Sequence, residues 1–301
     1  MTAVRARRLP DVAVESLHLE LAAFGRRRLL PAMSDDTWRY RIEADIRLSL
    51  LEGAFIERER AAVAPALARL PQDPDGFIAW YEGLRANGPG QGDPLFPWLA
   101  DHGVRAAMDW FVEQEAAGEA GFDDLLALTQ LKLPLRAKLE MARNFWDEMG
   151  RGDRRGMHGP MLEQLVAGLG LAPRPETTVW QSRALANLMT GLAFNRRYAW
   201  QSVGALGIVE LTAPGRVTLV ARGLRRLGVG AELRRYFDLH ATLDVRHAEA
   251  WNREVIRPLV EADRRLMRPI AEGALMRLSA GARCFERYRA EFGLAAQGEA
   301  A

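Results

Sequence analysis

Cysteine, lysine and histidine are all scarce in this 301-residue chain. A single cysteine, Cys284, excludes an intramolecular disulfide and any multi-cysteine zinc site. A reducing compartment follows as the expectation. Lys132 and Lys138 are the only lysines, so arginine carries the basic charge. Acids balance it almost completely: 41 basic side chains face 39 acidic ones, for a formal net charge of +2. Nothing in that balance points to a nucleic-acid partner. Long apolar runs are missing as well. The longest uncharged run near the centre, 198–209, has 12 residues, short of the roughly 18 to 20 that cross a bilayer. No apolar signal core follows the basic start of the chain. The expectation is a soluble cytoplasmic protein with no membrane partner. Alternating strand patterns bounded by turns are nearly absent, which leaves an all-α chain.

Helical periodicity predicts elements over about 11–30 and 37–69, the second capped by Ser34-Asp35-Asp36. A helix over about 75–86 leads into the turn-rich loop 86–97. Further helices are predicted over about 98–117, 121–130, 134–149, 157–169 and 176–212. Ala213-Pro214-Gly215 is expected to stop the last of these. Helices over about 216–227, 231–262 and 264–292 complete the chain. The organisation expected is an N-terminal helical extension (1–93), a helical core (94–292) and a disordered tail (293–301).

Five histidines are available, and two of them fall in YFDLHATLDVRHAEAW, 236–251. His240, Asp244 and His247 follow an i, i+4, i+7 spacing. At about 100° per residue they lie within roughly 60° of one another on one helix face. Two imidazoles and a carboxylate so placed form half of a metal site, and the donor types suit iron, manganese or zinc. Glu148 and His158 flank the glycine-rich run 150–156. On a straight helix they would stand about 15 Å apart along the axis. Gly150, Gly152 and Gly156 permit a reversal that returns one to the other. Glu210 is a lone acid ending an apolar stretch, where a buried carboxylate needs a partner. The six together give three carboxylates and three histidines, which offset three of the four charges of two divalent ions. The only Glu-x-x-His motif, Glu15 to His18, is unpaired and N-terminal, and reads as a decoy for a ferritin-like site.

This order and spacing resembles the haem-oxygenase-like diiron oxidases and oxygenases. The likeness runs over about 94–260 and includes the segments PLFPWL, QEAAGEAGFDDLLAL and ARNFWDEMGRGDRRGMHGPML. It implies a haem-oxygenase-like helical bundle and a loosely held site for two Fe(II)/Fe(III) ions, with O₂ as co-substrate. It implies that Glu148, His158 and His247 hold one iron and that Glu210, His240 and Asp244 hold the other. The three carboxylates would be the catalytic groups. A small amino-acid-, amine- or fatty-acid-like substrate, an electron donor and a homodimer belong to the same expectation, as does N-oxygenation, desaturation or carbon–carbon cleavage. Glu115, Glu119 and Asp123 lie where some members carry a further carboxylate ligand. Two alternatives remain open: a metal-independent enzyme of this fold, related to the thiaminases, and a non-enzymatic iron-binding helical protein.

Several other residues invite a role. Arg143, Arg196, Arg197 and Arg246 lie on the motif-bearing segments, and an arginine can clamp a substrate carboxylate. Tyr198, Trp200 and Trp251 are candidates for a pocket wall, although aromatics at helical spacing more often form core. His102 reads as structural, and Cys284 has no histidine near it in sequence to activate it.

Overall fold

The computed structural model describes residues 11–119, 121–174 and 176–294. Among them every regular element is helical: α1 (Asp11–Leu29), α2 (Trp38–Val63), α3 (Pro74–Asn87), α4 (Leu95–Asp101), α5 (Arg105–Gly118), α6 (Phe122–Thr129), α7 (Leu135–Glu148), α8 (His158–Gly168), α9 (Trp180–Phe194), α10 (Ala199–Arg226), α11 (Ala231–Ala250), α12 (Arg257–Ala262) and α13 (Met267–Glu291).

The bundle is organised around α10, which packs against α4, α11 and α13. Glycine sets how closely. A Cβ on Gly204 would fall 1.9 Å from the Ile270 carbonyl oxygen, and one on Gly273 would fall 1.8 Å from that of Gln201. The backbones of α10 and α13 therefore touch where they cross. One turn on, the space left at Gly207 takes the Trp251 indole; a Cβ there would be 2.4 Å from its Nε1. Tyr81 on α3 donates a hydrogen bond to the Gly204 carbonyl oxygen at 2.8 Å. Leu21, Phe55, Ile56 and Phe77 belong to the same hydrophobic cluster as Leu206, Ile208 and Met276.

The structure departs from the periodicity at five places. The stretch 176–212 is not one helix: α9 ends at Phe194, and the Asn195 side chain caps a 3₁₀ turn by accepting from the Arg197 amide at 3.1 Å. Conversely, α10 does not stop at 213–215 but runs on through Pro214. An interior proline costs about 3 kcal/mol. Beyond it Val220, Ala221 and Leu224 are buried, and each large aliphatic contributes roughly 1.5–3 kcal/mol. Tertiary burial thus outweighs the local signal. It also explains why Arg196–Arg226 is apolar enough to cross a membrane by composition: it is the core helix. The 98–117 segment breaks at His102, and α2 tightens to 3₁₀ geometry over Ala64–Arg69, around Pro65. Ahead of Pro258 the chain widens into a π turn, Trp251–Ile256, where the proline offers no amide to the regular i−4 bond. At the other end Gly293 and Leu294 close α13, the Leu294 amide donating to the Arg289 carbonyl at 2.9 Å. The rest of the expected tail, 295–301, lies outside the described residues.

Candidate metal centre

Glu148 is the last residue of α7 and His158 the first of α8. Between them two 3₁₀ turns reverse the chain, and Met149 pairs with Met157 in an isolated antiparallel bridge. Gly150 (φ +62°) and Gly152 (φ +86°) occupy the left-handed region. A Cβ at Gly150 would meet the Gly156 carbonyl carbon at 2.3 Å, so the reversal needs glycine at that position. The result sets His158 Nδ1 2.7 Å from Glu148 Oε2.

Glu210 on α10 and the α11 face complete the cluster. His240 meets His158 edge to face, ring centroids 4.6 Å apart. His247 Nδ1 is 3.4 Å from Glu210 Oε2. Two sets bring one ligand atom from each member within 4.8 Å of all the others: Glu148, His158 and His240; and Glu148, Glu210 and His247. The histidines are exchanged relative to the partition expected from sequence, because His240 lies at the α8 end of its face and His247 at the Glu210 end. Glu148 is common to both sets. Asp244 is buried and lines the adjoining cavity, outside both close sets.

Neighbouring side chains fix the orientation of the candidate ligands. His240 Nδ1–H donates to the Tyr236 carbonyl at 2.6 Å, which leaves Nε2 as the free donor atom. His247 Nε2–H donates to Asp147 Oδ2 at 3.1 Å, which leaves Nδ1 towards Glu210. Carboxylate–histidine pairing of this kind sets the tautomer of metal-binding imidazoles. Asn144 donates to Glu210 Oε1 at 2.6 Å.

A cation fits this arrangement. Among the described residues His158 Nδ1 and His247 Nδ1 lie against the Glu148 and Glu210 oxygens without hydrogen-bond geometry, and Asp244 Oδ1 has no hydrogen-bond partner; buried acceptor atoms facing one another in this way are costly unless something binds between them. Electrostatics agrees. Burial and the Glu210 charge push the Glu148 carboxyl up to about 8. Burial, Glu210 and Glu148 push the Asp244 carboxyl up as well. Burial and the charge of His247 hold His158 down to about 4, and burial also lowers His240. Burial lowers His247 too, but Glu210 and Asp147 outweigh it and raise the ring to about 9. Without a cation the acids resist ionising together.

Beside the cluster is a cavity of about 80 Å³, lined by Glu148, Glu210, His240 and Asp244 on the metal side. Glu115, Glu119, Tyr236, Arg216 and Arg277 line the remainder, with Phe122 and Val217 among its apolar wall. Of the three candidates for a further ligand, Glu119 acts electrostatically on Asp244, and Asp123 acts on Glu148 and His158. Glu119 is pushed up to about 8 by burial and by the Glu148 charge. Glu115 lines the cavity too, whereas Asp123 does not.

The other residues singled out from sequence lie elsewhere. Arg143 pairs with Glu140, Arg197 with Glu57, and Arg196 donates to the carbonyls of Leu128, Thr129 and Leu131. Arg246 and His102 are exposed. Trp251 is core, Tyr198 donates to Glu57, and Trp200 packs half-buried against the core. Glu15 pairs with Arg183, while His18 stacks on Trp180. Burial pushes the Cys284 thiol up to about 12, far from a nucleophile.

Sequence reasoning missed Asn144, Asp147, Tyr236, Arg216 and Arg277. Asn144 and Tyr236 each precede a candidate ligand by four residues, one turn along the same face, and that signal is readable. Arg277 carries none, because it comes from a helix outside the motif.

Comparison with known proteins bears on this geometry. A crystal structure of a domain of unknown function with a haem oxygenase-like fold, from Shewanella denitrificans, is similar at a TM-score of 0.50 and 14% identity. The match covers 72% of this chain and 90% of that one, and it shows the fold. No curated protein matches the chain. A family model described as iron-containing redox enzyme matches residues 109–282, which span all six clustered residues. The chain belongs to the iron-containing redox enzyme family.

Proposed function

We propose that this protein is a non-haem diiron oxidase or oxygenase that uses O₂ to oxidise a small organic substrate. The observation that carries the reading is Glu148, whose carboxylate is shared by two three-residue ligand sets. The fit of the donors to iron and the family membership support it. His158 and His240 would hold one ion with Glu148, and Glu210 and His247 the other. Asp244 offers a further carboxylate oxygen from the cavity wall. Two ferrous ions bound there would supply electrons for the activation of O₂.

This chain's own residues account for the remainder. Asp147 and the Tyr236 carbonyl keep the two α11 imidazoles in the metal-binding tautomer. Asn144 orients Glu210 and leaves its other oxygen free to bind. Phe122, Leu162, Val209 and Val217 exclude bulk water from the cavity where the substrate would sit. Reduction of O₂ to water takes four electrons, so a substrate that gives two requires a donor for the other two. The orphaned buried atoms disfavour the metal-independent alternative.

Anaerobic equilibrium dialysis against Fe(II), with iron counted per chain, tests the reading. About two equivalents are expected. A value that stays at zero or one under excess Fe(II) overturns it.

A further inference from the structure

Two guanidinium groups line the cavity beside the metal cluster without a counter-ion in contact. Among the described residues neither Arg216 nor Arg277 takes part in an ion pair. Both are nevertheless held in place. Arg216, on α10, lies over the rings of Phe96 (5.7 Å) and Phe285 (5.3 Å). Among the described residues its one hydrogen bond is a long one, from Nε to the Thr212 carbonyl at 3.5 Å. Arg277, on α13, lies against Gly281, where a Cβ would come within 2.9 Å of its Nη1. Aromatic faces and a missing side chain position these groups, and the ends of the guanidinium forks remain available. Burial and the Arg216 charge lower Arg277 to about 10. It stays protonated at neutral pH in a place where a second positive charge is costly.

We propose that Arg216 and Arg277 together receive the carboxylate of a small amino acid, whose remaining atoms then face Glu148 and Asp244. Paired guanidinium forks match a carboxylate in shape and charge. Glu115 and Glu119, one turn apart in the same lining, can accept from an ammonium group. At about 30 Å³ per water, the 80 Å³ cavity has room for roughly three waters, which suits a short chain and not a long acyl tail. A second cavity, of about 320 Å³, lies across Pro214 and Gly215 and is also lined by Arg216. Arg216 therefore borders both cavities. The orientation of the substrate rests on the proposed diiron function, whereas the binding of the carboxylate needs no metal.

The test is calorimetric titration of the anaerobic Fe(II)-loaded protein, and of the metal-free protein, with three matched pairs. These are L-alanine and ethylamine, L-valine and isobutylamine, and L-lysine and 1,5-diaminopentane, with decanoate as the long-chain acid. In at least one pair the amino acid is expected to bind about tenfold tighter than its amine or better, and tighter than decanoate. Arg216→Gln and Arg277→Gln should each weaken that binding by roughly 10- to 100-fold. Gly281→Ala retains every charge and favours the helix, yet it displaces Nη1 and should weaken binding too. Iron stoichiometry should be unchanged in all three variants, which separates a recognition defect from a folding defect. The inference is overturned if no amino acid binds better than its amine, if decanoate binds best, or if the Arg→Gln variants retain wild-type affinity. An arginine-dependent preference in a protein that takes up no iron would support this inference and overturn the diiron reading alone.

Discussion

Glu52 and Glu272 are as buried as Glu148, Glu210 and Asp244, all five exposing 2–4% of their surface, yet the two groups are neutralised differently. Glu52 places both oxygens on the Arg28 guanidinium, which is itself stacked on Phe24 and Phe194. Glu272 accepts from Arg60 at 2.8 Å and from Gln201 at 3.1 Å, with Arg268 at 3.2 Å. These charges are balanced by the fold itself. Among the described residues Glu148 and Glu210 find only histidines as charge partners, and Asp244 finds no ion pair. Burial alone therefore does not mark a functional acid. A buried acid whose surroundings supply no arginine is the stronger candidate, because its balance must come from a proton or from something bound.

The sharpest way to break this contrast is to delete one acid from each group. Glu148→Ala removes the carboxylate common to both ligand sets, so bound iron should fall from about two per chain to near zero. Glu52→Ala should retain the iron and instead lose about 3–5 kcal/mol of unfolding free energy, because Arg28 is left buried without its partner. Iron analysis and denaturant unfolding on both variants decide between these outcomes. Loss of iron in Glu52→Ala at full stability would erase the distinction.

A smaller effect concerns His18, which sits in the internally balanced region against Phe55 and Trp180. Burial and nearby arginines lower its pKa to about 4, below the 6.5 of the unfolded chain. The unfolded state therefore binds the proton first. Stability from this group is complete above about pH 6.5 and drains away as pH falls towards 4, by about 3 kcal/mol at most. His18→Phe should flatten the fall in unfolding midpoint over that interval. An unchanged slope would show that His18 remains solvated.

The smallest effect is also the most diagnostic, because its sign reverses. In metal-free protein at neutral pH Glu148→Gln and Asp244→Asn remove carboxyls that folding forces to take up a proton, and should raise stability by about 1–2 kcal/mol. Glu272→Gln removes an attracted charge and should lower it by a similar amount. Adding Fe(II) at a hundred times its Kd should stabilise the wild type by about 2.7 kcal/mol and restore the ordinary order. Thermal unfolding with and without Fe(II) reads all of this, and a loss of stability in metal-free Glu148→Gln would mean that the cluster is internally balanced.

Much of the site was legible because it is local. The i, i+4, i+7 spacing that puts His240, Asp244 and His247 on one face depends only on the helical repeat. The return of His158 to Glu148 depends on glycines that reach positive φ within seven residues. Where the reading failed, the deciding contacts came from far along the chain. Pro214 looked like a stop because nothing in its neighbourhood reveals that Val220 and Leu224 are buried beyond it. Asn195 carries no strong break signal after the apolar run that ends at Phe194. The arginines flagged for substrate lay on the right segments but turned to solvent, to backbone carbonyls or to surface acids.

The amino-acid sequence by itself determined the all-helical class, the six clustered acids and histidines, and the register of each within its own element. All of these follow from backbone dihedrals and the 3.6-residue repeat. Only the tertiary structure decided which histidine joins which acid, that Asp147 orients His247, and that Arg216 and Arg277 share a cavity with Glu119. Those relations depend on how closely neighbouring helices approach. That distance is set where Gly204 meets Ile270 and Gly273 meets Gln201, by pairs of residues about seventy positions apart that no local pattern connects.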